Sequence, residues 1–132
     1  MSENISKIWG ERRRLLLTNK TEIDLLYLKK NSFCSTHSHV NKINMFVVVS
    51  GRVRIETEFG NLTLTKNNSW EVHPMLKHRF FALEDSVMIE LAYVNKGRIQ
   101  PMDINRISQG GRVIDGKEMT ADAMREKGLL DL

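Results

Sequence analysis

All four histidines of this 132-residue sequence fall in one stretch, from His37 to His78. His37 and His39 are two apart in THSHVNKINMFVVVSG. Residues two apart on a strand point to one face, so both imidazoles are offered to the same side, along with Phe33 and Ser35. Two nitrogens on one side are able to share one metal ion. His78 opens a later stretch, HRFFAL, in which Phe80 and Ala82 share its face. Pairing across a barrel would bring its ring to the same point and complete a facial set. Three neutral imidazoles with open positions suit Zn, Fe, Mn, Ni or Co, so the expected cofactor is a divalent transition metal, with no choice among these. Asn44 is a fourth candidate, as a weak ligand or as support behind the ligands, because its neutral amide oxygen attracts a divalent cation less than a carboxylate does. The competing reading is a pocket that has lost its metal and holds ligand by hydrogen bonds.

Two more groups could move protons. Glu90 shares a strand with Ile89 and Leu91 on one side and Met88 and Ala92 on the other, so its carboxyl is expected to be partly buried, with a raised pKa suited to a general base. A salt bridge to a neighbouring arginine is the plainer outcome. His73 shares parity with Glu71, opposite Trp70 and Val72. Facing a pocket, it would be a ligand or a proton carrier near neutral pH; facing out, it is ordinary surface. Arg79, Arg106 and Arg112 are the candidates for holding phosphate, because a guanidinium fork matches phosphate oxygens.

These side chains need a β framework to position them. Between Thr21 and Val94 the apolar residues recur with period two, interrupted by short polar turns, which predicts an all-β sandwich or barrel over residues 21–112. In EIDLLYLKK, Ile23, Leu25 and Tyr27 share a face, while NMFVVVSG is apolar on both faces and is expected to be buried on both sides. Gly60-Asn61 signals a hairpin between RVRIETEF and LTLTK. Residues 1–20 read as an N-terminal arm or a short helix. Residues 113–132 read as a tail, with a short C-terminal helix capped by Thr120, carrying Asp122 in its first turn and Lys127 in its last, and stopped by Gly128.

Composition narrows the function classes. The length fits one domain. One cysteine, Cys34, excludes an internal disulfide framework. The sequence has no apolar run long enough for a membrane span and no secretory signal pattern, so a cytoplasmic location is expected. The excess of 20 basic over 16 acidic residues, a net charge of +4, comes without aromatic interleaving or a recognisable module, and nucleic acid is not an expected partner.

The spacing His37-x-His39, four residues, Asn44, six residues, Gly51 resembles the first cupin motif, and His73-Pro74-Met75-Leu76-Lys77-His78-Arg79-Phe80 resembles the second. The resemblance implies a double-stranded β-helix, a jelly-roll barrel with a metal near its mouth, commonly paired as a homodimer through strands outside the barrel. Across residues 8–112 the chain is similar to the cupin domain of type II mannose-6-phosphate isomerases, often joined to GDP-mannose pyrophosphorylases. Trp9-Gly10, FVVVSGRVRI, His78-Arg79, Ile89-Glu90, Asp103-Ile104-x-Arg106 and Gly111-Arg112 occur in the order that family shows. The chain departs from the family at Asn44, where a glutamate is usual, at His73 and Met75, and after Glu90, where a glutamine is missing. The activity implied is metal-dependent isomerisation of a sugar phosphate or nucleotide sugar, with Glu90 or His73 moving a proton. Two other classes stand beside it: a non-catalytic cupin that binds a small ligand, and a three-histidine iron enzyme using dioxygen.

Overall fold

The computed structural model describes residues 4–130. In chain order its strands are β1 (Asn4–Lys7), β2 (Gly10–Leu17), β3 (Thr21–Leu28), β4 (Ser32–Phe33), β5 (His37–Ser38), β6 (Ile43–Ser50) and β7 (Arg52–Thr57). They continue with β8 (Gly60–Thr65), β9 (Ser69–Val72), β10 (His78–Ala82), β11 (Ser86–Tyr93), β12 (Asn105–Arg106), β13 (Gly111–Ile114) and β14 (Lys117–Thr120), followed by helix α1 (Ala121–Glu126). A six-stranded sheet runs β1-β2-β3-β11-β6-β9. In the second sheet β10 is the hub, pairing with β7 on one side and with β4 and β5 on the other, and all of these pairings are antiparallel. The two inner faces enclose a core of Leu26, Leu28, Phe46, Val48, Val53, Ile55, Val72, Phe80 and Met88.

Period two explains what faces inward. In β3 the buried positions are Glu22, Asp24, Leu26 and Leu28, so Ile23, Leu25 and Tyr27 lie on the outer face. The same gradient runs along the inner faces of β11 and β6, from Met88 to Glu90 and from Val48 and Phe46 to Asn44. Register aligns the polar ends, since Glu90 stands opposite Asp24, and Ala92 opposite both Glu22 and Asn44. One end of the sandwich is therefore apolar, and the other is lined by polar side chains.

Residues 4–17, expected as an arm or a helix, instead form the hairpin β1–β2, with β2 paired along β3. Trp9 in its turn explains this. The indole is buried and meets Phe80 edge-on at 5.1 Å, so burial of a large aromatic ring holds the hairpin to the barrel. The hairpin expected at Gly60-Asn61 exists, but its turn lies over Glu58-Phe59, and Gly60 already pairs with Thr57. The predicted C-terminal helix is present. Thr120 Oγ1 accepts from the Ala123 N–H at 3.3 Å, and Gly128 follows with φ +69°. No helix among the described residues is long and apolar enough to cross a membrane.

Gly51, between β6 and β7, has φ +87°, and a Cβ built there would lie 2.6 Å from the Asp85 carbonyl oxygen and 2.2 Å from Ser86 Oγ. Left-handed strain in a non-glycine residue costs about 1–3 kcal/mol before any backbone clash. Gly51→Ala is therefore expected to lower unfolding stability by at least about 2 kcal/mol, measured by chemical denaturation.

Candidate metal centre

β5 and β10 pair directly, with His37 opposite His78, and His39 follows at the end of β5. This pairing brings together the three histidines that the spacing nominated. Their ring centroids lie 4.6 Å (His37 and His78), 5.0 Å (His37 and His39) and 5.5 Å (His39 and His78) apart. One ligand atom from each lies within 4.8 Å of the others, and all three residues are buried.

The surrounding backbone fixes which nitrogen each ring offers. Nδ1 of His37 lies 2.8 Å from the Ser35 carbonyl oxygen, that of His39 2.6 Å from the Asp103 oxygen, and that of His78 2.8 Å from the Leu76 oxygen. A carbonyl only accepts, so each Nδ1 carries its proton and each Nε2 presents a lone pair inward. Burial and mutual repulsion keep the rings neutral. Burial, with the nearby His78 and His39, lowers the pKa of His37 to about 3, and burial lowers that of His78 to about 4. Burial also pushes His39 down, against the Asp103 carbonyl, which raises it. His78 Nε2 is buried with no hydrogen-bond partner. An orphaned lone pair of this kind costs free energy unless a cation accepts it, so the three residues fit a divalent transition-metal ion.

Asp103 is a supporting residue with no role in the sequence reading. Burial alone would raise its pKa, yet N–H groups of Val40, Asn41 and Lys42 donate to its carboxylate at 2.7–3.1 Å and hold it below its ordinary value. That clasp fixes the loop after His39 and aims the Asp103 carbonyl at the ring. Ser35 reinforces His37 in the same way, with Oγ 2.9 Å from Nδ1.

Asn44 lies beside the cluster. Its Nδ2 donates to Glu90 Oε2 at 2.8 Å and stands 3.3 Å from His39 Nε2, while Oδ1 is buried without a partner. The amide thus steers Glu90 with an N–H. Glu90 borders the same cavity, and burial, with the charge of Asp24, raises its pKa to about 7 against the opposing pull of Lys42 and Arg12. The other wall acids are paired: Arg14 Nε donates to Asp24 at 2.6 Å, and Arg14 and Lys42 each reach Glu22 at 3.4 Å. Glu22 and Asp24 were legible in principle, since they share parity with Leu26 and Leu28.

The remaining candidates scatter. His73 is exposed, 3.9 Å from Glu71. Arg79 lies on the face of β10 opposite His78, bonded at 2.8–2.9 Å to Glu56 and to both oxygens of Glu118, with its guanidinium 4.6 Å from the Phe33 ring centroid. Arg112 Nε donates to the Ile8 carbonyl at 2.9 Å. Neither arginine lines the cavity, whereas Arg106 does. The cavity holds about 450 Å3, and Trp9, Cys34 and Phe80 line part of it. Cys34 is buried, and burial raises its thiol pKa far above its ordinary value, which makes it a packing residue.

No family model and no curated protein matches the sequence. Solved structures do. The chain is similar to KdgF from Halomonas sp., with 18% identity over 73% of this chain and 89% of that one, at a TM-score of 0.64. It is similar to Pac13 of Streptomyces, a nucleoside dehydratase, with 12% identity over 82% and 86% and a TM-score of 0.69. Oxalate decarboxylase from Bacillus subtilis matches with 16% identity and a TM-score of 0.68, over 80% of this chain and 30% of that one. At such identities the likeness is one of fold, and it agrees with the strand order and the buried histidine trio: the chain is a double-stranded β-helix, a jelly-roll barrel of the cupin type.

Proposed function

We propose that this protein is a metal-dependent cupin enzyme that moves a proton on a small sugar phosphate or related polyhydroxylated compound, in the manner of a mannose-6-phosphate isomerase. The observation that carries the reading is the convergence of three inward Nε2 atoms, one of them orphaned, beside a carboxyl that no cation pairs. A divalent ion held by His37, His39 and His78 would supply Lewis acidity towards a carbonyl or hydroxyl oxygen. Glu90, steered by Asn44, would take a proton from the bound substrate at an Oε atom and return it to a neighbouring atom. Arg14 and Lys42 occupy Glu22 and Asp24, which leaves Glu90 as the carboxyl free for that task. Trp9 and Phe80 form the apolar side of the cavity. One protein of similar fold, Pac13, is a nucleoside dehydratase, so the fold is compatible with enzymatic chemistry on a small molecule.

Incubation of metal-loaded protein with mannose 6-phosphate in D2O, followed by NMR, tests the proposal. The expected result is fructose 6-phosphate carrying solvent deuterium, with turnover reduced about 10²–10⁴-fold in Glu90→Gln. Saturable binding without product would make the protein a binding module, and oxygen uptake by the iron-loaded form would make it a dioxygenase; either outcome overturns the isomerase reading.

A further inference from the structure

Five cationic side chains line the cavity: Lys7, Arg12, Arg14, Lys42 and Arg106. Arg14 and Lys42 are matched by Glu22 and Asp24. The other three have no hydrogen bond or ion pair among the described residues, and Arg12 Nε is buried without a partner. They come from both sheets. Lys7 and Arg12 sit on the hairpin β1–β2, opposite Gly10 and Ile5 respectively, while Arg106 on β12 stands directly opposite His37 on β5.

We propose that Lys7, Arg12 and Arg106 form a subsite for an anionic group, a phosphate or a carboxylate, on the molecule that the histidine cluster acts upon. Identifying that molecule as substrate rests on the function proposed above; the anion site itself does not. Three unpaired like charges gathered at one cavity repel one another, and a buried guanidinium nitrogen without an acceptor is unfavourable, so the arrangement requires an anion to complete it. Burial, followed by the charges of Arg12 and Arg106, lowers the pKa of Lys7 against the opposing pull of Asp24 and Glu90. Two guanidinium forks and one ammonium present planar and point donors, the combination that matches several oxygens on one anionic centre.

The placement also sets distance. Adjacent strands are about 4.8 Å apart, so the backbones of Arg106 and His37 lie roughly one strand spacing from each other and their side chains share a face. A short substrate would then span both subsites, its anionic end at the mouth and its reactive carbons beside the histidines. A cavity of about 450 Å3 accommodates a molecule of that size. This arrangement moves anion recognition from Arg79 and Arg112, which are bonded elsewhere, to the hairpin.

The test uses chelator-treated, desalted protein at low ionic strength, titrated by calorimetry with inorganic phosphate and, separately, with acetate. Wild-type protein is expected to bind at least one of them saturably, and whichever binds more tightly names the ligand class. Lys7→Gln/Arg12→Gln is expected to weaken binding at least 10-fold, as is Arg106→Gln, which alters the other sheet and so guards against a hairpin that fails to form. Arg79→Gln is expected to bind as wild type. No saturable binding of either anion by wild-type protein, or unchanged affinity in both cavity variants, would overturn the subsite. Because no metal is present, these results stand apart from the success or failure of the isomerase assay.

Discussion

Substituting His78 by leucine is expected to strip the protein of bound metal and of the stability that the metal adds. His78 is 1% exposed, and its Nε2 has no partner in the protein, so the ring contributes little that leucine does not, apart from a lone pair and the bond from Nδ1 to the Leu76 carbonyl. In the chelated protein the substitution removes an unsatisfied buried acceptor, a gain of about 1–3 kcal/mol, and loses one hydrogen bond worth about 1 kcal/mol. The metal-free variant should therefore melt close to the metal-free wild type or above it. With metal at about 1,000 times its Kd, the wild type should gain about 4 kcal/mol, or roughly 10–20 °C in Tm for a domain of this size. The variant should gain nothing. Elemental analysis and paired melting curves check both halves, and an equal metal-induced shift in the two proteins would remove these histidines from the site.

The second large effect is expected at Asn44. Asn44→Asp keeps the side chain's size but replaces the N–H that donates to Glu90 at 2.8 Å with an oxygen. Two carboxyls at that separation cannot both be charged, and the metal-free protein should lose about 1–3 kcal/mol of stability. A divalent cation reverses the sign, because an added negative charge 3.3 Å from His39 Nε2 attracts it. Metal affinity should rise at least about 10-fold, and the span between metal-free and metal-loaded melting temperatures should widen. Competition against a chelator of known affinity measures the first effect, and thermal unfolding the second. A variant whose metal-free stability is unchanged would show that Asn44 and Glu90 do not share a contact.

The barrel and the histidine trio were legible because both rest on period two. Alternation predicts strands, and His37 and His39 on one parity with His78 leading another strand predicts a shared face. What alternation does not report is which face is inside. In EIDLLYL the apolar parity, Ile23, Leu25 and Tyr27, lies outward, and the mixed parity of Glu22, Asp24, Leu26 and Leu28 lies inward, because the barrel's inner face is apolar at one end and polar at the other. A single strand read alone favours the wrong parity; three strands aligned in register show the gradient.

The arginines illustrate a second limit. Arg79 carries a guanidinium as suited to phosphate as that of Arg12, but Glu56 and Glu118 converge on it from β7 and β14. Those partners are 23 and 39 residues away, so no local pattern announces them. Lys7 and Arg12 went unassigned for the reverse reason. The basic run near the start looks like solvated charge until the burial of Trp9 folds it over the cavity.

That hairpin also shields a vulnerable border. β2 pairs with β3 from Glu22 to Leu28. A shortened form starting at Thr21 would leave β3 with an open edge of unpaired donors and acceptors, a ready template for sticking to other chains. Removing the hairpin would thus invite precipitation.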